Sequence, residues 1–194
     1  MKESQFNNPS WNFKLDKVNT YAFCHKVFTP KECQLIIDIA KNKGLIKGET
    51  PGENKVRNSK VSWLYPSHGM SWVFSRVTDV VMNLNERFFN FNLFGFNEGF
   101  QFTNYVAPGN KYGKHTDRGL DIPVRKLSLS IQLTDPKEYK GGELYLYEAE
   151  KGTLMKKEQG TLILFPSYIL HEVTPITKGE RNSLVSWITG NNFK

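Results

Sequence analysis

Two side chains near the middle of the chain, His115 and Asp117, have the types and the spacing needed to hold a metal ion. They stand two residues apart, so in an extended backbone both side chains project to the same side. With a distant His171 they would form a 2-His-1-carboxylate triad, which holds Fe(II) and leaves positions open for a chelating co-substrate and dioxygen. A His-x-Asp pair also arises by chance and can be an exposed loop pair, so the prediction depends on what accompanies it.

A guanidinium follows the second histidine, ten residues further on, at Arg181. The alternation of the segment that follows places Arg181, Ser183 and Trp187 on one face, together with Val185. An arginine suits a carboxylate because it donates two parallel charge-assisted hydrogen bonds. Ser183 could add a hydroxyl donor, and Trp187 an apolar wall. We predict that this face binds a carboxylate; the alternatives are a surface ion pair for Arg181 and an ordinary core position for Trp187.

Two further side chains, Tyr105 and Gln132, are candidates for the same pocket. Tyr105 precedes His115 by ten residues, and Pro108 with Gly109 can turn the chain back toward the metal. Its phenol could reach the carboxylate of a co-substrate. A pocket aromatic without any ligand contact explains Tyr105 equally well, and the same two interpretations apply to Gln132.

The elements that must position these residues begin with two helices. Thr29, Pro30 and Glu32 form a capping box that predicts a helix ending at Gly44, with Leu35, Ile36, Ile39 and Ala40 as its buried stripe. Apolar residues at helical spacing predict a second helix over about 71–89.

After Gly99 the period changes to two, which predicts strands. The clearest strand, 126–134, places leucines and an isoleucine on one face and polar residues on the other; further strands are predicted at 143–148, 161–165, 171–174 and 182–189. Helices followed by many short strands predict an α+β protein, in which a jelly roll holds a polar pocket between its two sheets. We expect a single domain over 1–194, with helical support at about 29–90 and a jelly-roll core at about 99–190.

Composition excludes several classes of protein. The net charge is +7, but the basic residues are scattered, with no run of five, which favours a solvated surface over a nucleic-acid site. No stretch approaches the length of a membrane span. Cys24 and Cys33 lack metal-ligand spacing, and no apolar signal segment precedes them, so we predict a reduced, cytoplasmic protein. Nothing in the sequence indicates an oligomeric state.

Several motifs in order resemble one known family. Tyr105, His115 and Asp117 are followed by the segment Tyr-Lys-Gly-Gly-Glu-Leu at 139–144, then by His-Glu-Val-Thr-Pro at 171–175, Arg181 and Trp187. Together these resemble the prolyl 4-hydroxylase superfamily of Fe(II)- and 2-oxoglutarate-dependent oxygenases, and look closest to its bacterial and phage-type branch. The resemblance covers about 57–189. It implies a double-stranded β-helix, which is a jelly roll, flanked by N-terminal helices.

The resemblance also implies cofactors and roles. The metal would be Fe(II), with 2-oxoglutarate and dioxygen as co-substrates and ascorbate in a supporting role. Arg181 would bind the distal carboxylate of 2-oxoglutarate, and Tyr105 would hydrogen-bond the co-substrate. Many collagen-type and algal-type members carry Lys at the place of Arg181 while oxygen-sensing members carry Arg, which weakens any inference of a collagen-like substrate.

For the substrate, the resemblance points to Arg57, Ser59 and Trp63, which border the substrate groove in the family. The segment 47–58 is predicted to be a loop that could fold over a peptide, or else a dispensable surface loop. We therefore expect hydroxylation of a prolyl residue in a peptide or protein. The alternative is a free amino acid or small metabolite. Oxidative demethylation of nucleic acid is more remote, because such enzymes carry a second arginine six positions after the first, where this chain has Trp187.

Overall fold

The computed structural model describes residues 18–49, 56–118 and 124–191. Within these ranges, two α-helices lie in the N-terminal half, α1 (Pro30–Lys43) and α2 (Ser71–Phe88), and a 3-10 turn spans Pro66–His68. The early strands are β1 (Ala22–Cys24), β2 (Ile46–Lys47), β3 (Arg57–Asn58), β4 (Lys60–Leu64), β5 (Leu93–Phe96), β6 (Phe100–Val106) and β7 (Lys111–His115). The later ones are β8 (Arg125–Gln132), β9 (Lys140–Gly141), β10 (Leu144–Tyr147), β11 (Thr153–Leu154), β12 (Leu162–Pro166), β13 (Leu170–Val173), β14 (Ile176–Lys178) and β15 (Glu180–Gly190).

The described strands form two main antiparallel sheets and one short pair. The major sheet has eight strands in the order β1-β12-β8-β15-β6-β4-β2, with β5 paired to β15. The minor sheet has five, in the order β11-β10-β13-β7-β3, and β14 pairs with β9. The protein is thus mostly β, with the strand exchange between sheets that is typical of a jelly roll.

Helix α1 begins as its sequence predicts. Thr29 and Glu32 close a reciprocal capping box, and Gly44 stands just past the last turn with φ of 102°. The buried face is shifted from the predicted one: it consists of Cys33, Ile36, Ile37 and Ala40. Leu35 is 48% exposed, so its place in the predicted stripe was wrong. The spacing i, i+3, i+4, i+7 that begins at Cys33 is the one that faces the sheet.

The two faces of β8 separate as the alternation predicts. Leu127, Leu129, Ile131 and Leu133 belong to one apolar core with residues of both helices, although Leu129 also borders the cavity between the sheets. Each fully buried side chain of this kind contributes about 1.5–3 kcal/mol to stability. The polar side chains of the same strand face the interior between the two sheets, where a second, smaller cluster packs around Leu146 and Phe165.

Strands β1 to β5 precede residue 99, where the sequence predicted mainly helices. Most are two to four residues long, too short to show a period of two. Strand β4 pairs with β6, and β3 with β7, so this segment completes the edges of both sheets. Half of the predicted loop at 47–58, residues 50–55, lies outside the described residues, and its two ends belong to strands β2 and β3. Neither helix is both long and apolar enough to cross a membrane.

Candidate active site

The predicted metal ligands come together at one end of the minor sheet. His115 is the last residue of β7, and it is the direct cross-strand partner of His171 in β13. Asp117 follows His115 by two residues; its Oδ1 lies 3.6 Å from His115 Nε2, and its Oδ2 lies 3.4 Å from His171 Nε2. The three ligand atoms all lie within 4.8 Å of one another. This is the only such cluster of three among the described His, Cys, Asp and Glu residues.

Both imidazoles are oriented by backbone carbonyls. The Nδ1 of His115 lies 2.7 Å from the carbonyl oxygen of Gly113, and the Nδ1 of His171 lies 2.9 Å from that of Ile169. Because a carbonyl only accepts, each Nδ1 carries the proton and each Nε2 keeps its lone pair toward the cluster. Two such nitrogens and one carboxylate oxygen form a donor set that accepts Fe(II).

Near pH 7 the side chains of this cluster are in the protonation states that a metal ligand requires. Burial, with a contribution from the neighbouring His171, lowers the pKa of His115 to about 4, so the imidazole is neutral near pH 7. Burial alone would raise the pKa of Asp117, but the nearby His171 and His115 and the hydrogen bond from Ser128 outweigh it and lower that pKa. The carboxylate is therefore ionised, as a ligand must be.

Arg181 lies on the major sheet and its side chain enters the cavity that also contains the metal cluster. It is 1% exposed. Its NH2 donates to Gln132 Oε1 over 2.8 Å and its NH1 to Ser183 Oγ over 3.4 Å, while its Nε has no partner. Among the described residues Arg181 makes no ion pair. A buried guanidinium without a carboxylate is costly to leave uncompensated, which indicates a site for an anion.

Gly142 shapes this anion site. Its φ is +63°, and a Cβ at this position would come within 2.4 Å of Ile176 Cδ1 and 2.9 Å of Arg181 Cδ. The glycine therefore permits both the left-handed turn and the close approach of the backbone to the guanidinium stem.

The other predicted co-substrate residues line or border the same cavity. Tyr105 lies under Arg181, whose guanidinium carbon is 5.4 Å from the ring centroid. Burial raises the pKa of Tyr105, so its hydroxyl stays protonated and can donate. Gln132 and Ser183 meet the guanidinium directly, with their side-chain oxygens accepting from it. Trp187 borders the cavity, and its indole helps to lower the pKa of the Asp117 carboxyl.

The three predicted substrate residues lie in one stretch of the chain: Arg57 on β3, Ser59 between β3 and β4, and Trp63 on β4. Arg57 lines the cavity; its Nε donates to Ser59 Oγ over 2.8 Å and its NH2 to Gln101 Oε1 over 2.7 Å. Both Arg57 and Ser59 are buried. Trp63 packs against Trp187, with ring centroids 6.2 Å apart.

Sequence reasoning missed several residues of this site. Tyr112 lies between Arg57 and His115. The guanidinium carbon of Arg57 is 4.7 Å from the centroid of the Tyr112 ring, and the His115 ring stacks on Tyr112 with the two ring centroids 3.5 Å apart. Arg125 makes two hydrogen bonds to Glu98, of 2.8 and 2.7 Å, and its guanidinium carbon lies 3.8 Å from the Trp187 ring centroid. Tyr112 could have been found from its place on the strand of His115; the pair of Arg125 and Glu98 has no sequence signal.

Comparisons with known proteins agree with this geometry. Residues 100–189 match the sequence model of the 2OG-Fe(II) oxygenase superfamily. A PKHD-type hydroxylase of Picosynechococcus sp. is 40% identical over 83 residues, which are 42% of this chain and 38% of the relative. The chain therefore spans less than half the length of this curated relative.

Solved structures with the same fold cover most of the chain. A prolyl hydroxylase from Trichoplax adhaerens, in complex with a peptide fragment of the hypoxia inducible factor oxygen degradation domain, has a TM-score of 0.74 at 19% identity, covering 89% of this chain and 84% of that one. The viral collagen prolyl hydroxylase of Paramecium Bursaria Chlorella virus-1, in its 2OG complex, has a TM-score of 0.68 at 25% identity, covering 88% and 96%.

The donor set fits Fe(II), and the buried guanidinium fits a dicarboxylate such as 2-oxoglutarate. These are the cofactor and co-substrate that the matched family carries in its description. Residues 100–189 are thus similar to the 2OG-Fe(II) oxygenase superfamily, and the jelly roll of the chain is shared with solved prolyl hydroxylases.

Proposed function

We propose that this chain is an Fe(II)- and 2-oxoglutarate-dependent dioxygenase that hydroxylates a prolyl residue in a peptide or protein. The observation that carries the proposal is the shared cavity of the His115, Asp117 and His171 cluster and the Arg181 guanidinium, which has no carboxylate partner among the described residues. A triad alone would suit many metal proteins. A buried cation in the same cavity calls for an anionic co-substrate.

Each group has a defined task in this reaction. His115, Asp117 and His171 would hold the iron, and Arg181 would hold the distal carboxylate of 2-oxoglutarate, with Tyr105 as a further donor. When bound, Fe(II) and 2-oxoglutarate supply the oxidising chemistry, in which one atom of dioxygen leaves in succinate and the other enters the substrate. The chain itself contributes positioning and the exclusion of water by the buried walls of the cavity.

A peptide substrate is supported by two features. One of the structural neighbours is described in complex with a peptide fragment. In this chain, Arg57 on strand β3 lines the cavity, and Ser59, between β3 and β4, accepts a hydrogen bond from it, so that both could contact an extended peptide. A free amino acid or small metabolite is the alternative within the same chemistry. A cytoplasmic location and a single domain over 1–194 remain predictions.

The test of the iron ligands uses single alanine variants. His115→Ala, Asp117→Ala and His171→Ala should each abolish succinate formation from 2-oxoglutarate, because each removes one of three protein ligands. His68→Ala is the matched control, since His68 lies outside the cavity and bonds only the Tyr65 backbone among the described groups. Wild-type turnover in any of the three variants would remove that residue from the triad.

The test of the substrate class uses one panel. Purified enzyme with Fe(II), 2-oxoglutarate and ascorbate would be incubated with proline-containing peptides, free proline and methylated oligonucleotides, and the products analysed by mass spectrometry. We expect the gain of one oxygen atom on a prolyl residue of a peptide. Oxidation of free proline alone would favour the small-metabolite alternative, and loss of the methyl group from an oligonucleotide would overturn the prolyl assignment.

A further inference from the structure

The turn between β12 and β13, residues 167–169, contacts two of the proposed metal ligands at once. The carbonyl oxygen of Ser167 accepts from the backbone N–H of Asp117 over 3.0 Å. The carbonyl oxygen of Ile169 lies 2.9 Å from His171 Nδ1 and fixes the plane of that ring. The two ligands come from distant parts of the sequence, so this turn sets their relative position.

Two hydrogen bonds between side chains connect this turn to the Asp117 carboxylate. Ser128, on β8, donates from its Oγ to Asp117 Oδ2 over 2.7 Å, and its Oγ lies 2.9 Å from Ser167 Oγ. A hydroxyl has one proton. Since the Ser128 proton goes to the carboxylate, Ser167 must donate to Ser128. Both serines are 0% exposed, so water does not compete for these bonds.

The hydrogen bond from Ser128 is made to one of the two oxygens of the Asp117 carboxylate. Oδ2 receives the Ser128 proton and lies 3.4 Å from His171 Nε2, while Oδ1 lies 3.6 Å from His115 Nε2. A carboxylate held in this way cannot rotate freely, so both of its oxygens keep their positions beside the two imidazoles. Groups that hydrogen-bond a metal ligand in this manner tune both its orientation and its affinity.

We propose that Ser128 is a positioning residue of the metal centre, supported by Ser167, and that the pair holds the Asp117 carboxylate in the orientation in which it binds the metal. The inference rests on the proposed function, since it requires a metal at the cluster. Loss of the Ser128 hydroxyl would free the carboxylate to turn and would leave a buried oxygen without its donor. The expected cost is a weakening of metal binding by about 10- to 100-fold.

The experiment measures Co(II) binding to the apoprotein by visible absorption, because imidazole and carboxylate ligands also accept this ion. Ser128→Ala should weaken Co(II) binding by about 10- to 100-fold and change the shape of the absorption spectrum, which reports ligand geometry. Ser128→Thr should restore both, since it keeps the hydroxyl. Ser186→Ala is the matched control: it also removes a fully buried serine hydroxyl, but from a side chain outside the cavity.

Wild-type affinity and spectrum in Ser128→Ala would overturn the proposal. If Ser128→Ala does not fold, as judged by circular dichroism, Ser167→Ala takes its place, because it releases Ser128 while leaving that hydroxyl present. Weaker Co(II) binding with an altered spectrum in Ser167→Ala would support the proposal, and unchanged binding would overturn it. Failure of the wild-type protein to bind Co(II) would instead refute the proposed metal site, which separates the two ideas.

Discussion

Replacing Arg181 by alanine tests the co-substrate site without touching the metal ligands. The guanidinium is 1% exposed and meets only neutral oxygens, those of Gln132 and Ser183, among the described groups. In Arg181→Ala the distal carboxylate of 2-oxoglutarate would enter a buried pocket without a counter-charge. Leaving a charged group unpaired in such a place costs about 2–5 kcal/mol.

That free energy translates into a large loss of affinity. At about 1.4 kcal/mol for each factor of ten, 2-oxoglutarate should bind about 30- to 3,000-fold more weakly. Arg181→Lys should recover part of the loss, because the ammonium keeps the charge but loses the two-pronged geometry. Iron binding should be unchanged in both variants, since Arg181 does not belong to the cluster of ligand atoms.

The assay is an anaerobic titration of 2-oxoglutarate into the iron-loaded protein, followed by the metal-to-ligand charge-transfer absorbance. Arg87→Ala serves as the control, because it removes the same charge from an exposed position on α2. An unchanged dissociation constant in Arg181→Ala would refute the assignment. The carboxylate would then have to bind elsewhere in the cavity.

Three further predictions concern the framework of the site. Gly142→Ala should destabilise the protein by about 1–3 kcal/mol in urea unfolding and also weaken 2-oxoglutarate binding, because the new Cβ would collide with Ile176 and the Arg181 stem. Gly44→Ala is the control, since Gly44 also has a positive φ but has nothing within 4 Å of the added Cβ, so that only backbone strain is expected. Equal effects of the two substitutions would contradict the crowding at Gly142. Thr29→Ala should lower the free energy of unfolding by about 1 kcal/mol, because it breaks the capping box of α1. Thr29→Ser should be near wild type in the same urea assay, and an unchanged free energy of unfolding in the alanine variant would count against the cap. Burial raises the pKa of Cys33 to about 12, so near pH 7 its thiol stays protonated. It should therefore resist alkylation by iodoacetamide until the protein unfolds. Rapid labelling of Cys33 in the native protein, seen by peptide mapping, would show that helix α1 is not packed as described.

Local signals in the sequence were sufficient for elements whose ends depend on neighbouring residues. The start of α1 follows from Thr29 and Glu32, whose mutual hydrogen bonds need no tertiary contact. The alternation of β8 predicted which side chains enter the interior, since a strand in a sandwich must present opposite faces to core and pocket. The spacing of His115 and Asp117, with Arg181 downstream of His171, predicted residues that the fold brings into one cavity.

Contacts between distant strands could not be predicted in the same way. The hydrogen bond from Ser128 to Asp117 and the turn that supports it depend on the register of β8 against β12, which pairs Ser128 with Phe165. The bidentate contact of Arg125 with Glu98 likewise joins a strand end to a residue before β6. Strands as short as β3 carry no periodic pattern, so their pairing becomes visible only when the sheet is complete.

The most direct test of the account is a single anaerobic measurement on the wild-type protein. Fe(II) and then 2-oxoglutarate are added to the apoprotein, and the visible charge-transfer band of the chelate is recorded alongside His171→Ala. We predict a saturable band in the wild type that requires both additions and is absent in the variant. A wild-type protein without the band, or a variant that keeps it at full intensity, would contradict the claim that this cluster binds iron beside 2-oxoglutarate.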